Sequence, residues 1–370
     1  MKNYRRNTID AFFALLRAGL WEKDVRLSEY GTVDFGEVYR LASEQSVVGL
    51  VAAGIEHIVD VKVPQEVALM YAGEVLQLEQ RNQAMNAFIA ELVGKMRKED
   101  IYTLLVKGQG IAQSYERPSW RACGDVDLLL DIDNYAKATT YLTPLAQNVV
   151  VNPRDIKHIG MTIDTWSVEL HGTLRSQLGS RIDKVIDNVQ SDTFENNKIR
   201  VWNNGVCNVY LPAANNDIIF VFTHILQHYF NGGIGIRQVC DWCRLLWTYS
   251  KEIDVDLLNK RLSEAGIKTE WEAFAALAVD RLGIPAEKMP FYSAKAKWRK
   301  KANRIVAHVI RTGNMGHNRD TLYRQKDNIV IRKLKTLARV TSDGLRQITV
   351  FPLDAIKVWL VIVTKSIKGN

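Results

Sequence analysis

The sequence predicts an α+β protein, with a small mixed β-sheet core flanked by N-terminal and C-terminal helical regions. Three observations predict it. Apolar residues recur at three- and four-residue spacing between residues 7 and 99. Between 101 and 211 they gather instead into short, β-branched runs separated by turns. From Asn215 onward helical spacing returns. The 370 residues leave room for two or three packing units. A composition of 47% hydrophobic and 24% charged residues excludes a mainly disordered chain. Four cysteines are too few for a disulfide scaffold and point to a reducing, cytoplasmic setting.

The first element is a helix, because Ile9, Phe12, Phe13, Leu15 and Leu16 share one face. This stretch lacks the continuous apolar run and small-residue cleavage site of an export signal. Residues 35–59 also carry helical spacing. Pro64 then opens a long helix whose apolar positions run from Val67 to Met96, and the polar cluster 95–100 ends it. Residues 101–106 read as a buried strand, 107–110 as a turn and 111–116 as a short helix. Residues 126–130 read as a second strand with Asp125 and Asp127 embedded. A helix over 134–147 follows, then strands at 148–151, 157–163 and 166–171. Residues 198–202 and 206–211 form a hairpin through Asn203-Asn204-Gly205. Asn215 or Asn216 caps the next helix, and further helices fit 237–250, 254–265, 269–282, 293–312 and 328–341. The expected organisation is a helical region at 1–100, an αβ core at 101–213, a helical domain at 214–290 and a basic helical extension at 291–370. No fixed-period repeat is present. No apolar run approaches the ~18 residues of a transmembrane span, the longest late run being 358–363.

The strongest chemical signal is Cys123-Gly124-Asp125-Val126-Asp127-Leu128. Side chains alternate along a strand, so Asp125 and Asp127 share one face while Val126 and Leu128 enter the core. Two adjacent carboxylates repel unless a cation lies between them. Mg²⁺ favours carboxylate oxygens, water and phosphate, so the pair suits phosphoryl or nucleotidyl transfer. An exposed strand face would give the same alternation. The surroundings favour the metal platform. Backbone N–H groups at the Lys107-Gly108 turn can hold phosphate oxygens, and Lys107 and Arg121 supply cations. Downstream, Glu169 and His171 share a strand face, which offers a third carboxylate.

These residues carry a resemblance. Leu105-Val106-Lys107-Gly108, then Tyr115, Pro118 and Arg121, then Gly124-Asp125-Val126-Asp127-Leu128-Leu129 and Val168-Glu169-Leu170-His171 resemble the core of the uncharacterised bacterial nucleotidyltransferase family, within the DNA polymerase β-like superfamily. His224-x-x-x-His228 and Arg237-x-x-x-Asp241 resemble its later helical segments. The resemblance covers roughly residues 8–290 and implies a nucleotidyltransferase core. It implies that Asp125 and Asp127 hold Mg²⁺ or Mn²⁺ ions bridging the phosphates of a nucleoside triphosphate. Glu169 completes the metal site or takes a proton from the acceptor. Gly108 and Gln109 backbone groups, with Lys107 and Gly124, cradle the nucleotide, and Arg121 neutralises developing charge. His171, His224, His228, Arg237 and Asp241 border the substrate groove. The acceptor, a small molecule, a saccharide or a protein, is not readable.

Other constellations compete. His224, His228, Cys240 and Cys243 could converge on zinc, although cysteines three apart inside a helix are also ordinary core residues. On that second view the two histidines line the groove or bond to Asp241. The glycine-rich stretch 231–235 follows a helix rather than a strand, so it reads as an interhelical loop. Trp242, Trp247 and Trp271 read as core. His158 and His171 flank the sheet cleft, His171 being a metal ligand, a substrate contact or a buried hydrogen-bonded residue.

The formal charge of +8 is unevenly spread. Residues 291–370 hold 18 basic and 4 acidic residues, net +14; the rest hold 31 and 37, net −6. The excess, densest at 297–301 and 332–335, is either solvated helix faces or a surface for an anionic partner. The segment 348–368 mixes aromatic and aliphatic residues with lysines, as interfacial segments do. Two alternatives to a transferase therefore stand: a non-catalytic nucleotide-binding protein, and a nucleic-acid-binding protein that uses the basic region.

Overall fold

The computed structural model describes residues 2–151, 158–314, 316, 329–353, 355–357 and 359–360, with backbone alone for 2–6 and 329–337. Four helices come first: α1 (Lys2–Trp21), α2 (Phe35–Glu44), α3 (Val48–Glu56) and α4 (Gln65–Lys98). The face of α1 chosen by its spacing is the buried one, since Phe12, Phe13, Leu15 and Leu16 are at most 1% exposed. Helices α1 and α3 cross with backbones almost touching. A Cβ on Gly19 would lie 1.8 Å from the Leu50 carbonyl oxygen, and one on Gly54 would lie 2.0 Å from that of Leu15.

The core follows as β1 (Leu104–Val106), α5 (Gly108–Ala112), β2 (Asp125–Leu129), α6 (Ile132–Leu142), β3 (Asn148–Val151), β4 (His158–Ile163), β5 (Trp166–His171), α7 (Ser180–Glu195), β6 (Ile199–Asn204) and β7 (Cys207–Pro212). The strands form one mixed sheet in the order β3-β4-β5-β2-β1-β7-β6. The β2–β5 and β1–β7 pairs are parallel and the others antiparallel. Alternation sends Val126, Leu128, Val168 and Leu170 to one side, where Met85, Phe88, Ile89 and Val93 of α4 cover them. The opposite side meets a larger helical core, to which Leu104, Val106 and Leu129 belong.

That core is built by α8 (Ala214–Asn231), α9 (Ile236–Thr248), α10 (Val255–Ala265), α11 (Lys268–Leu282), α12 (Ala296–Thr312) and α13 (Ile329–Ile348). Trp242 and Trp271 sit at its centre, fully buried. Residues 232–235 are the expected interhelical loop. Trp298, Ile305 and Val309 of α12 join the same core, while Lys297, Arg299 and Lys300 face solvent. The basic cluster 332–335 lies on α13, where side chains are outside the described residues. Residue 157 of the expected fourth strand, residues 354, 358 and 361–368 of the segment 348–368, and with them most of the run 358–363, also lie outside the described residues. Among the described residues no helix is long and apolar enough to cross a membrane.

Several boundaries differ from expectation, each for a local reason. The first strand is three residues, not six, because the backbone before it is engaged elsewhere. The Ile101 N–H bonds the Met96 carbonyl at the end of α4, and the Tyr102 N–H bonds Asn134 Oδ1. The expected turn at 107–110 is a single residue. Lys107 reverses the chain at φ 59°, so α5 begins at Gly108 and ends at Ala112 rather than spanning 111–116. The hairpin turn falls on 205–206, the strands absorbing Asn203 and Asn204. Helix α6 stops at Leu142, ahead of Pro144. Neither Asn215 nor Asn216 caps α8. Ala213 precedes it without a side-chain cap, and Asn216 bonds Thr193 and Asp192 of α7 instead. Helix α13 extends past 341 to Ile348. Helix α7 itself was not expected, although Ile182, Val185, Ile186 and Val189 give it an apolar stripe at helical spacing.

Candidate active site

Strand register assembles the site. In the parallel β2–β5 pair Asp127 stands opposite Glu169, and Leu129 opposite His171. In the antiparallel β4–β5 pair His158 stands opposite His171. Val106 stands opposite Asp127, so Lys107 leaves β1 beside the carboxylates. Asp125, Asp127, Glu169 and His171 therefore share the sheet face that turns toward α8 and α9, while their neighbours Val126, Leu128, Val168 and Leu170 are sealed in the core beneath. A cavity of about 910 Å³ opens over this face, walled opposite by α7, α8 and α9.

Asp127 is 2% exposed and its Oδ1 accepts two bonds, from Lys107 Nζ at 3.0 Å and from His171 Nε2 at 2.7 Å. Glu169 Oε2 lies 3.1 Å from His158 Nε2 and 3.4 Å from His171 Nε2. Asp125, Asp127 and Glu169 each bring an oxygen within 4.8 Å of the other two. Such crowding separates their proton affinities. The Asp127 charge, followed by burial, raises the pKa of Asp125. Burial also pushes Asp127 up, but the Lys107 charge and the His171 bond outweigh it and hold it below its ordinary value. Bonds from His158 and His171 hold Glu169 far below the usual carboxylate range. Burial works against a charged His171, yet its bonds to Asp127 and Glu169 raise its pKa. Burial likewise opposes the Lys107 ammonium, and Asp127 reverses the effect.

The other expected residues divide. Lys107, Gly108, Arg121, Gly124, His171, His224, His228, Arg237 and Asp241 all line the cavity. Gln109 does not; its side chain donates to Asn82 Oδ1 and lies against Met85. Gly108 has φ +42°, and a Cβ there would come within 3.1 Å of Cys123 Sγ. Gly124 has open space around it. Arg121 is 4% exposed and spent on Asp241, through Nε at 2.9 Å and Nη2 at 2.6 Å. Tyr115 adds a 2.7 Å bond to the same carboxylate. Asp241 is therefore taken by Arg121 and Tyr115 rather than by His224 or His228. Arg237 differs: it donates to the Ala122 carbonyl, keeps Nε without a partner, and makes no carboxylate salt bridge among the described residues. Burial, then the neighbouring Arg121 charge, lowers its pKa.

Burial and then Lys107 keep His224 far below its ordinary value and bring His228 down to about 4, so this wall is uncharged near neutral pH. The zinc arrangement is not built. Among the described residues, no group of three metal-ligating side chains includes His224, His228, Cys240 or Cys243. Both cysteines are fully buried free thiols whose pKa values burial raises. The wall formed by α7, with Asp183, Asp187 and Gln190, was missed because no element had been assigned there; the stripe from Ile182 to Val189 was the available signal.

Residues 31–283, more than half of the chain, match the model of a family described as uncharacterised nucleotidyltransferase. All seven strands and every cavity residue named above fall inside that stretch. No curated protein and no solved structure matches the chain.

Proposed function

The chain belongs to this nucleotidyltransferase family, and from that premise we propose that it moves a nucleoside monophosphate from a nucleoside triphosphate to an acceptor at the cavity over β2 and β5. The observation that carries the reading is the convergence of Asp125, Asp127 and Glu169 oxygens within 4.8 Å of one another. The donor set is all oxygen and anionic, which fits Mg²⁺ or Mn²⁺. Such an ion would supply charge neutralisation at the phosphates and polarise the α-phosphorus for in-line attack.

The protein groups divide the remaining work. Asp125 and Asp127 bind the metal, and Val126 and Leu128 lock their strand in place. Glu169, whose proton affinity is so low, suits a ligand better than a base. Lys107 reaches Asp127 now and can turn its remaining donors to the β/γ-phosphates, beside the backbone N–H groups of Gly108 and Gln109 and the open approach at Gly124. Because Asp241 already neutralises Arg121, we assign Arg121 to holding the Asp241–Tyr115 network and Arg237 to meeting phosphate charge. His171 orients Asp127 and Glu169, and His224 and His228 supply a neutral wall. The αβ core 101–213 would then carry the chemistry, with 1–100 and 214–290 closing the cavity. The exposed lysines of α12 in the 291–370 region leave a surface for an anionic partner. The acceptor is left as a small molecule, saccharide or protein. Four free cysteines accord with a cytoplasmic setting.

The test is transfer of label from an α-labelled nucleoside triphosphate by wild-type protein and by the Asp125→Ala/Asp127→Ala double variant. Loss of transfer in a folded double variant supports the assignment, and wild-type transfer by that variant removes it.

A further inference from the structure

Among the described residues, the carboxylate trio is one of two metal-competent groups on this face. His158, Glu169 and His171 also bring one donor atom each within 4.8 Å of the others. The arrangement is specific. The two imidazoles lie almost parallel, 15° apart with ring centroids 4.8 Å from each other. Both bring Nε2 near Glu169 Oε2, at 3.1 and 3.4 Å, and His171 Nε2 lies closer still to Asp127 Oδ1, at 2.7 Å. The backbone enforces this, since His158 and His171 are direct cross-strand partners and Glu169 lies two residues from His171 on the same face.

Those two separations fit a shared ion. With metal–ligand distances of about 2.1 Å, neighbouring ligands lie about 3.0 Å apart at octahedral angles and about 3.4 Å apart at tetrahedral ones. Without an ion, His158 Nε2 donates to Glu169 and His171 Nε2 to Asp127; a bound cation would replace both protons, as it does at any imidazole ligand. One cation at the convergence point satisfies both ring nitrogens as neutral donors and Glu169 as an anion. The donor set differs from its neighbour. Imidazole suits zinc, cobalt and similar borderline metals, whereas the three carboxylates suit Mg²⁺.

We propose that His158, Glu169 and His171 form a second, nitrogen-bearing site for a divalent transition metal, joined to the Asp125–Asp127 carboxylates through the shared residue Glu169. Asp127 Oδ1, 2.7 Å from His171 Nε2, stands at the boundary between the two positions. The second site can be occupied without nucleotide and whether or not the neighbouring site transfers a nucleotide, so it does not rest on the transferase reading.

Co²⁺ is the probe, added alone to the untagged full-length chain after chelator treatment, with visible absorption and calorimetry as readouts. Wild-type protein should bind with d–d bands of a mixed nitrogen–oxygen shell. Changing partners outside a metal's ligand shell already costs about 10–100-fold in affinity, so His158→Gln should weaken Co²⁺ binding at least tenfold and change the bands. Asp125→Asn, which spares all three donors, should keep them. An unchanged dissociation constant and spectrum in His158→Gln would overturn the proposal. Should that variant fail to fold, X-ray absorption on Co²⁺-loaded wild-type protein decides. Scattering from two imidazoles supports the site, and an oxygen-only shell overturns it.

Discussion

Asp127 and Glu169 face each other in register across the parallel strands β2 and β5, and His171 reaches both, at 2.7 Å and 3.4 Å. The pairing makes the metal-binding face a property of the sheet. A carboxylate two residues along either strand keeps the same face, so Asp125 joins without any loop having to order. Because Lys107 and His171 already balance the buried Asp127, the site holds its anions before any cation or substrate arrives.

Asp127→Asn should therefore do more than remove a ligand. It deprives Lys107 and His171 of their shared partner and should reduce nucleotidyl transfer to background. Transfer kinetics beside a thermal melt check it: the variant should unfold as one transition, with activity gone.

Arg121 and Asp241 offer a cleaner structural test. Both are buried, and their two hydrogen bonds anchor the segment between α5 and β2 to α9. Asp241→Asn leaves a buried guanidinium without its anion and should cost about 3–5 kcal/mol in urea unfolding. Replacing both residues with apolar ones of similar size, Arg121→Met with Asp241→Leu, should recover part of that loss. A charge that mainly met phosphate would show little stability loss in either variant.

His228 should give stability a pH dependence of known sign. Its folded pKa is about 4 against about 6.5 for a free imidazole. The folded state holds it neutral, so its contribution is complete above pH 6.5 and is lost as pH falls toward 4. Between pH 8 and pH 5 that loss is about 2 kcal/mol. His228→Gln should flatten the stability profile by about that amount across this window, measured by denaturant unfolding at both pH values. No change in slope would contradict the burial of a neutral imidazole.

The α1–α3 crossing should tolerate no side chain. Gly19→Ala places a methyl group where the Leu50 carbonyl oxygen already lies, 1.8 Å away. Overpacking of this kind costs about 1–3 kcal/mol and here should reach the upper end. The comparison is Gly73→Ala, where nothing lies within 4 Å of the new methyl group; a helical position of that kind should become slightly more stable.

The sequence revealed the chemistry better than its frame. Alternation alone put Asp125 and Asp127 on one face of their strand and Glu169 and His171 on one face of theirs, because a two-residue period is local. Which strand neighbours which is not local: nothing in the strings around Asp127 and Glu169 announces that β2 and β5 are adjacent and parallel. Arg121 shows the same limit. Its type and position suggested a phosphate contact, but its charge belongs to Asp241, 120 residues later. Helix α7 was legible and overlooked, since Ile182, Val185, Ile186 and Val189 carry a clear stripe diluted by polar neighbours. The Lys107 turn was misplaced because a non-glycine residue at φ 59° leaves no compositional trace.

The position of the transferred label tests the central claim most directly. Nucleoside triphosphates labelled separately at the α- and γ-phosphorus, with Mg²⁺ and a fractionated pool of acceptors, distinguish the bond that breaks. Incorporation of α-label into an acceptor with release of pyrophosphate, lost in Asp125→Ala/Asp127→Ala, is the expected result. Incorporation of γ-label with release of a nucleoside diphosphate would contradict nucleotidyl transfer at this site.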